Sequence, residues 1–206
     1  MRFLGSRIGA VEALMAVNFI AFLATMVFPT IMLTLFALSP GTVVYMPWTI
    51  LTSMFLHADV MHIIFNMMAF YFFSLYLENL VGEKNMLKVF FTGGIAGSIF
   101  YILSSFTLGT PEQNTFALGA SGGIFAIAGA LAILRPYMKV VMIPIFIPMP
   151  LYIAVFVFMV LLSFMPGVAW QGHLGGLITG VLFGLRWKKR TVELIAVKEP
   201  YGYRFY

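Results

Sequence analysis

The chain has 206 residues, 62% of them hydrophobic and 9% charged, against about 25% charged in an ordinary soluble domain. With a mean hydropathy of +1.01, a water-soluble globule is excluded, and so is a disordered chain, which requires low hydrophobicity. Twelve Lys+Arg against seven Asp+Glu give a net charge of +5, which in so apolar a chain reads as cations flanking membrane helices on the cytoplasmic side rather than as a nucleic-acid surface.

A bilayer crossing needs roughly 20 apolar residues. Proline, glycine and charge mark the breaks between such tracts. They divide residues 1–206 into a single all-α membrane domain with six predicted transmembrane helices, at about 11–38, 59–80, 86–108, 117–134, 142–164 and 170–187. The first tract follows Arg2 and Arg7 and exceeds the 7–15 residues of a signal-peptide core, so it reads as a retained helix. Residues 39–58 contain Pro40, Gly41 and Pro47 and read as a partly embedded loop. Pro144, Pro148 and Pro150 fall in the first turns of the fifth predicted helix, where a missing donor is tolerated best. From Lys188 onward the chain reads as a basic, aromatic tail on the membrane surface.

The distribution of cations tests this layout. With the N-terminus inside, the inner segments carry Arg2, Arg7, Lys84, Lys88, Arg135, Lys139, Arg186, Lys188, Lys189, Arg190, Lys198 and Arg204, which is all 12. The outer loops carry none. An odd number of crossings would scatter them over both faces, so the pattern predicts a multi-pass protein of the cell membrane with both termini cytoplasmic.

Polar side chains in lipid are expensive and functional by default. The set here is small: His57, Asp59, His62, Asn66, Ser121 and His173, which include all three histidines and the sole aspartate. Ser121 stands fourteen positions before Arg135, about 21 Å along a helix, and His173 thirteen before Arg186, about 20 Å. Asn66 lies twelve positions from Glu78, about 18 Å, with His62 one turn higher on the same face. Ser121 and His173 thus reach nearly the same level, below the outer surface of a hydrocarbon core of about 30 Å, and the four residues could share one submerged pocket. Gly176, Gly180 and Gly184 share the face of His173, and Phe125, Ala128 and Ala132 that of Ser121. Small residues let helices approach closely, and a meeting of these two faces brings Ser121 to His173.

A serine beside a histidine is the minimum for nucleophilic catalysis, since the hydroxyl needs a base. A buried serine is also common interhelical glue, and a buried histidine a hydrogen-bonded core residue. The setting Gly119-Ala120-Ser121-Gly122-Gly123 relaxes the backbone and exposes amides that can receive an oxyanion. His62 and Asn66 can tie helices together or donate to that oxyanion. Asp59 sits at the outer boundary, so a Ser-His dyad is expected rather than a triad. His57 and His62 with Asp59 and His173 could supply metal ligands, but their spacing matches no strong zinc signature, and the absence of cysteine excludes thiolate sites, disulfides and cysteine nucleophiles. No metal or cofactor is expected. A helix-binding scaffold and a small transporter are the rival readings; the latter predicts an inverted repeat or paired broken helices, and neither is found.

Taken in order, these residues resemble the rhomboid family of intramembrane serine proteases. His57-Ala58-Asp59 followed by His62 and Asn66 is similar to the family's second-helix signature. Glu78 with Gly82 resembles the pattern near that helix's inner end. Gly119-Ala120-Ser121-Gly122 with Phe125 resembles the nucleophile motif, and Gly172-His173-Leu174-Gly175-Gly176 with Gly180 the sixth-helix motif. The resemblance implies the basic six-helix prokaryotic form. It implies Ser121 as nucleophile, His173 as general base, and His62, Asn66 and the Ser121 amide as oxyanion donors, with Gly119 shaping the turn. It further implies that Phe125 packs on the His173 ring, that His57 orders a loop, and that Glu78 is structural. The implied partners are the lipid bilayer and a single-span transmembrane protein substrate, cut near the outer side of the membrane. The family's first loop often carries Trp-Arg where this chain has Trp48-Thr49, a departure that concerns loop anchoring and not the dyad.

Overall fold

Proline sets the first departure from the expected elements. A proline lacks an N–H and disfavours helical dihedrals in the residue before it. Phe28, before Pro29, adopts φ −128°, ψ 57°. In the computed structural model, which describes residues 9–141, 146–163 and 165–198, the helix expected over 11–38 is therefore two: α1 (Ala10–Val27) and α2 (Pro29–Phe36). Within α1, Asn18 Nδ2 and Thr25 Oγ1 each donate to a carbonyl four residues back, Leu14 and Ala21, at 2.8 Å.

Residues 39–58 hold one turn of helix, α3 (Thr49–Thr52), and a 3-10 turn at Ser53–Phe55. The segment is tied down along its length. Trp48 Nε1 donates to Leu35 O at 2.7 Å, Thr52 Oγ1 to Phe36 O at 2.9 Å, and Ser98 Oγ to Ile50 O at 3.0 Å. Thr49 Oγ1 turns back to Met46 O at 2.7 Å, so Trp48 and Thr52 do the anchoring. Leu38 and Ala117 exchange backbone hydrogen bonds of 3.0 and 2.8 Å, which fastens this segment to the approach of the fourth predicted helix.

The helix α4 (Val60–Val81) starts at Asp59 and α5 (Glu83–Leu108) follows it after a single residue, Gly82. Gly82 has φ +85°, a conformation open mainly to glycine. That tight turn lets α5 begin at 83 rather than 86. α6 (Ser121–Leu134) begins at 121 rather than 117, because Ala117 is held by Leu38 and Gly119 has φ +125°.

The fifth expected helix needs the largest correction. Lys139–Val141 (β1) and Pro148–Pro150 (β2) form an antiparallel hairpin, with Val140 opposite Met149, and α7 spans only Leu151–Ser163. Pro148 and Pro150 lie in the strand, not in the first turns of a helix; each bars helical dihedrals in its predecessor, so the helix waits until Leu151. Pro144 lies outside the described residues. Among the described residues the chain is predominantly helical, with a short two-stranded hairpin besides. α8 (Trp170–Lys198) runs beyond 187 into the segment expected as a tail, whose residues 199–206 lie outside the described ones. Lys, Arg, Glu, Leu and Ala dominate there without an intervening glycine or proline, a composition that favours helix.

Among the described helices, α1, α4 and α5 are long and apolar enough to cross a membrane; α6 is apolar but only 14 residues long. Lipid offers helices no hydrophobic incentive to associate, so small residues and close backbones hold them. α6 is the hub, with α8, α5 and α4 around it. A methyl group at Gly176 would overlap the carbonyl of Gly122, one at Gly180 that of Ala126, and one at Gly184 would lie 2.7 Å from Ile133 Cβ. The glycines of α8 therefore fit against the backbone of α6. A second set on α5 packs as closely against different partners, Gly93 on the Ala126 side chain, Gly94 on the Met54 side chain and Gly97 on the Gly172 carbonyl. Below these contacts Phe70 and Phe90 meet at 4.9 Å between ring centres within a buried core that includes Leu77, Met86 and Leu131.

Candidate active site

Ser121 is the first residue of α6 and His173 lies in the first turn of α8. The glycine seam draws these two helix ends together, and Ser121 Oγ lies 2.7 Å from His173 Nε2 across 52 residues of sequence. A neutral imidazole accepts the hydroxyl proton in this arrangement. Phe125, one turn along α6, stacks on the His173 ring at 4.7 Å and 26°. Behind it Phe158 of α7 stacks on Phe125 at 6.3 Å and 21°. His173 is buried, and its Nδ1 meets no hydrogen-bond partner among the described residues. The only aspartate is engaged elsewhere, and among the described residues no carboxylate accepts from the His173 ring.

Gly119 precedes the pair by a turn that an L-residue would strain. A side chain there would place Cβ 2.9 Å from His62 Nε2 and 3.7 Å from Ser121 Oγ. His62 and Ser121 thus flank one small space beside the turn. The N–H of Gly119 donates to Ser53 O at 2.9 Å, so the 3-10 turn of the first outer segment holds the glycine in place. Ser53 was not anticipated from sequence, since a backbone carbonyl leaves no residue-type signal. The α5 glycines were not anticipated either, although Gly93-Gly94 and Gly97 form a small-residue run readable by the criterion applied to α8.

Asp59 is the N-cap of α4: its Oδ1 accepts from His62 N–H at 2.9 Å. His62 Nδ1 accepts from Ala58 N–H at 3.3 Å. Asn66, one turn on, is nearly buried and its Nδ2 donates to His62 O at 2.9 Å. One of its two amide protons is thereby engaged and the other remains for a further acceptor. His57 is 0% exposed and meets the His62 ring edge-on at 5.0 Å between centres; its ring is a wall behind His62, separate from the serine. Burial, and secondarily the neighbouring His62, push the His57 imidazole down to about 4. Glu78 lies in the last turn of α4, where its carbonyl accepts from Gly82 N–H at 2.7 Å, about 18 Å down the helix from Asn66. Of the sequence-derived site residues, His173, Phe125, Gly119, His62 and His57 are linked to Ser121 or to the His62 ring, Asn66 is linked only through the His62 carbonyl, and Glu78 lies at the far end of α4.

A cleft bordered by Ser53, Ser98, Tyr101, Gly119, Ser121 and His173 opens beside the pair. Tyr101 and Gln171 reach the loop that follows α5, donating to the carbonyls of Thr115 and Thr110, each at 3.4 Å. Among the described residues, no group of three or more histidine or acidic side chains converges on a point where a metal could bind. Chemically, a serine hydroxyl within hydrogen-bond reach of one imidazole, with a second imidazole beside the neighbouring glycine turn, is an arrangement that acyl transfer could use.

Comparison with known proteins gives an independent result. The profile of the rhomboid domain matches residues 44–190. The chain is 28% identical over 155 residues to the mitochondrial rhomboid protein 1 of Saccharomyces cerevisiae, covering 66% of this chain and 40% of that protein. It is 28% identical over 174 residues to rhomboid-like protease 3 of Toxoplasma gondii, covering 80% of this chain and 61% of the relative. It is also 29% identical over 84 residues to the inactive RHOMBOID-like protein 8 of Arabidopsis thaliana, covering 41% of this chain and 22% of that one. The chain thus spans about two fifths to three fifths of the length of the yeast and Toxoplasma relatives.

Proposed function

The chain belongs to the rhomboid family of multi-pass membrane proteins, and from that premise we propose that it is an intramembrane serine endopeptidase working through a Ser121–His173 dyad. The observation that carries the proposal is the 2.7 Å approach of Ser121 Oγ to His173 Nε2 between two helices. The relatives include a named protease and a named inactive member; possession of both members of the pair favours activity here over a helix-binding scaffold.

Ser121 Oγ attacks the carbonyl carbon of a substrate peptide bond while its proton passes to His173 Nε2. The developing oxyanion lies beside the Gly119 turn, where His62, the second amide proton of Asn66 and the Ser121 backbone N–H donate to it. Collapse breaks the C–N bond as His173 returns its proton to the leaving amine. Water, deprotonated by His173, then attacks the acyl carbon and restores the Ser121 hydroxyl. Phe125 holds the imidazole plane through both halves.

Depth follows from length. α6 has 14 residues, about 21 Å, against a hydrocarbon core of about 30 Å. With Arg135 at the inner boundary and both termini cytoplasmic, Ser121 lies below the outer surface, in a six-crossing bundle. The substrate is then a transmembrane segment whose outer end unwinds to present a carbonyl. The thinly packed α7 is the natural side for its entry.

The test is cleavage of a single-span reporter in liposomes by wild type, Ser121→Ala and His173→Ala prepared side by side. Cutting by wild type alone, within or at the outer margin of the reporter's membrane segment, supports the proposal. Equal cutting by all three sinks it. An inert wild type that also fails to react with a fluorophosphonate at Ser121 removes the catalytic reading and returns the weight to a scaffold.

A further inference from the structure

Donation to an oxyanion by a neutral histidine requires the proton on the nitrogen that faces it. We propose that Asp59 is a positioning residue that, through the turn from Ala58 to His62, holds His62 in the tautomer protonated on Nε2. The inference rests on the reading of His62 as an oxyanion donor.

The local geometry makes the selection. Asp59 has extended backbone, φ −154° and ψ 174°, and its carboxylate accepts from the N–H of His62. With the cap formed, the chain before it folds back, and the N–H of Ala58 points at His62 Nδ1, 3.3 Å away. A ring nitrogen that accepts a hydrogen bond bears its lone pair there, so the proton of the neutral ring sits on the other nitrogen. That nitrogen, Nε2, is the one facing the Gly119 turn beside Ser121. The ring of His57, edge-on at 5.0 Å, closes off one side, so a rotated ring would have to displace a buried neighbour. The cap, two positions of backbone and the His57 wall together present Nε2–H toward the serine before any substrate arrives. In a site that must stabilise charge without reorganising, such fixed dipoles are worth most. Asp59 is exposed, and its contribution passes entirely through His62.

Imidazole nitrogen NMR on protein labelled at histidine reads the tautomer directly, with the His62 signals assigned by their loss in His62→Ala. The expected wild-type spectrum has His62 protonated on Nε2 and bare on Nδ1 at neutral pH. In Asp59→Ala the signals are expected to move toward a mixture of tautomers, with kcat for reporter cleavage down about tenfold, part of the roughly 10²–10³-fold that complete loss of one oxyanion donor costs, and KM little changed. Asp59→Asn, which keeps a capping oxygen, should restore both the spectrum and most of the rate; a merely structural role would instead appear as lower thermal stability with kcat per folded molecule intact. A wild-type His62 protonated on Nδ1 overturns the proposal whatever the variants do. So does Asp59→Ala with an unaltered spectrum and an unaltered kcat. A wild type that cleaves nothing counts against the protease reading, whereas the spectra alone still decide the tautomer.

Discussion

α6 meets α8 and α7 in opposite ways. Against α8 it is backbone on backbone along its whole length, with glycines at 176, 180 and 184 where a methyl would strike a carbonyl or a side chain. Against α7 the contact is sparse, made by side chains such as Phe158 on Phe125, and much of α7 remains exposed. The difference divides the work. Where two helices must hold Ser121 and His173 within hydrogen-bond reach, positional precision comes from contacts that cannot slide. On the proposed reading, a transmembrane substrate enters where a helix is held only by a few rings and gives way at low cost. Dispersion and packing, not the hydrophobic effect, set both strengths in lipid.

The comparison can be broken most severely at the tight seam. Gly180→Val drives a side chain into the Ala126 carbonyl, and we expect a loss of more than about 4 kcal/mol, visible as failure to accumulate folded protein or as a large drop in thermal midpoint in detergent. Gly172→Ala sharpens the point, because a Cβ there finds nothing nearer than 3.7 Å; it should be close to neutral in the same assay. If both behave alike, the seam is not what holds the pair.

Next comes the chemistry mounted on the seam. His62→Ala should lower kcat/KM for a transmembrane reporter by about 10²–10³-fold while leaving the thermal midpoint nearly unchanged. A drop of less than about tenfold would place His62 outside the oxyanion site.

A smaller effect concerns pH. His57, in the segment before α4, is held down to about 4 by burial first and by His62 second, whereas an unfolded histidine titrates near 6.5. Between those values the unfolded chain binds the proton and the folded chain does not, so stability rises with pH through the window. It is complete above about 6.5 and falls as the pH drops toward about 4, by up to about 3 kcal/mol from this group. Denaturation at pH 7.5 and pH 4.5 checks it; His57→Gln should flatten the difference. The smallest effect belongs to α7. Phe156 is 58% exposed, and Phe156→Ala should change stability by no more than about 0.5 kcal/mol, although it can alter the rate with which a reporter gains entry.

How much of this was readable in advance depends on what a residue's role is made of. Ser121 and His173 were legible because polar groups in an apolar chain stand out and because helix rise places both at one depth. The place of Phe125 on the Ser121 face was legible through helical phase, its stacking on His173 only through the family resemblance, and the α8 glycines through their spacing. Ser53 and Ala58 were not, because they act through a carbonyl and an amide that every residue carries. The hairpin at 139–150 was missed because its apolar composition suits a membrane helix as well as a strand; three prolines within seven positions were the available signal, and they were assigned to a helix start. The break at Phe28–Pro29 was the same kind of omission.

By itself, the sequence determined the class of molecule and the list of chemically able residues, since charge, hydropathy and the rarity of polar groups are properties of composition and order. The proposed orientation of the chain rests on the same kind of signal, 12 cations on one side of six proposed crossings. Only tertiary structure decided that a side chain at Gly119 would run into His62, that His62 turns Nε2 toward that glycine, and that the Gly119 N–H is held by the Ser53 carbonyl. Those facts depend on distances between segments remote in the chain, and close packing turns such distances into constraints that no single segment contains.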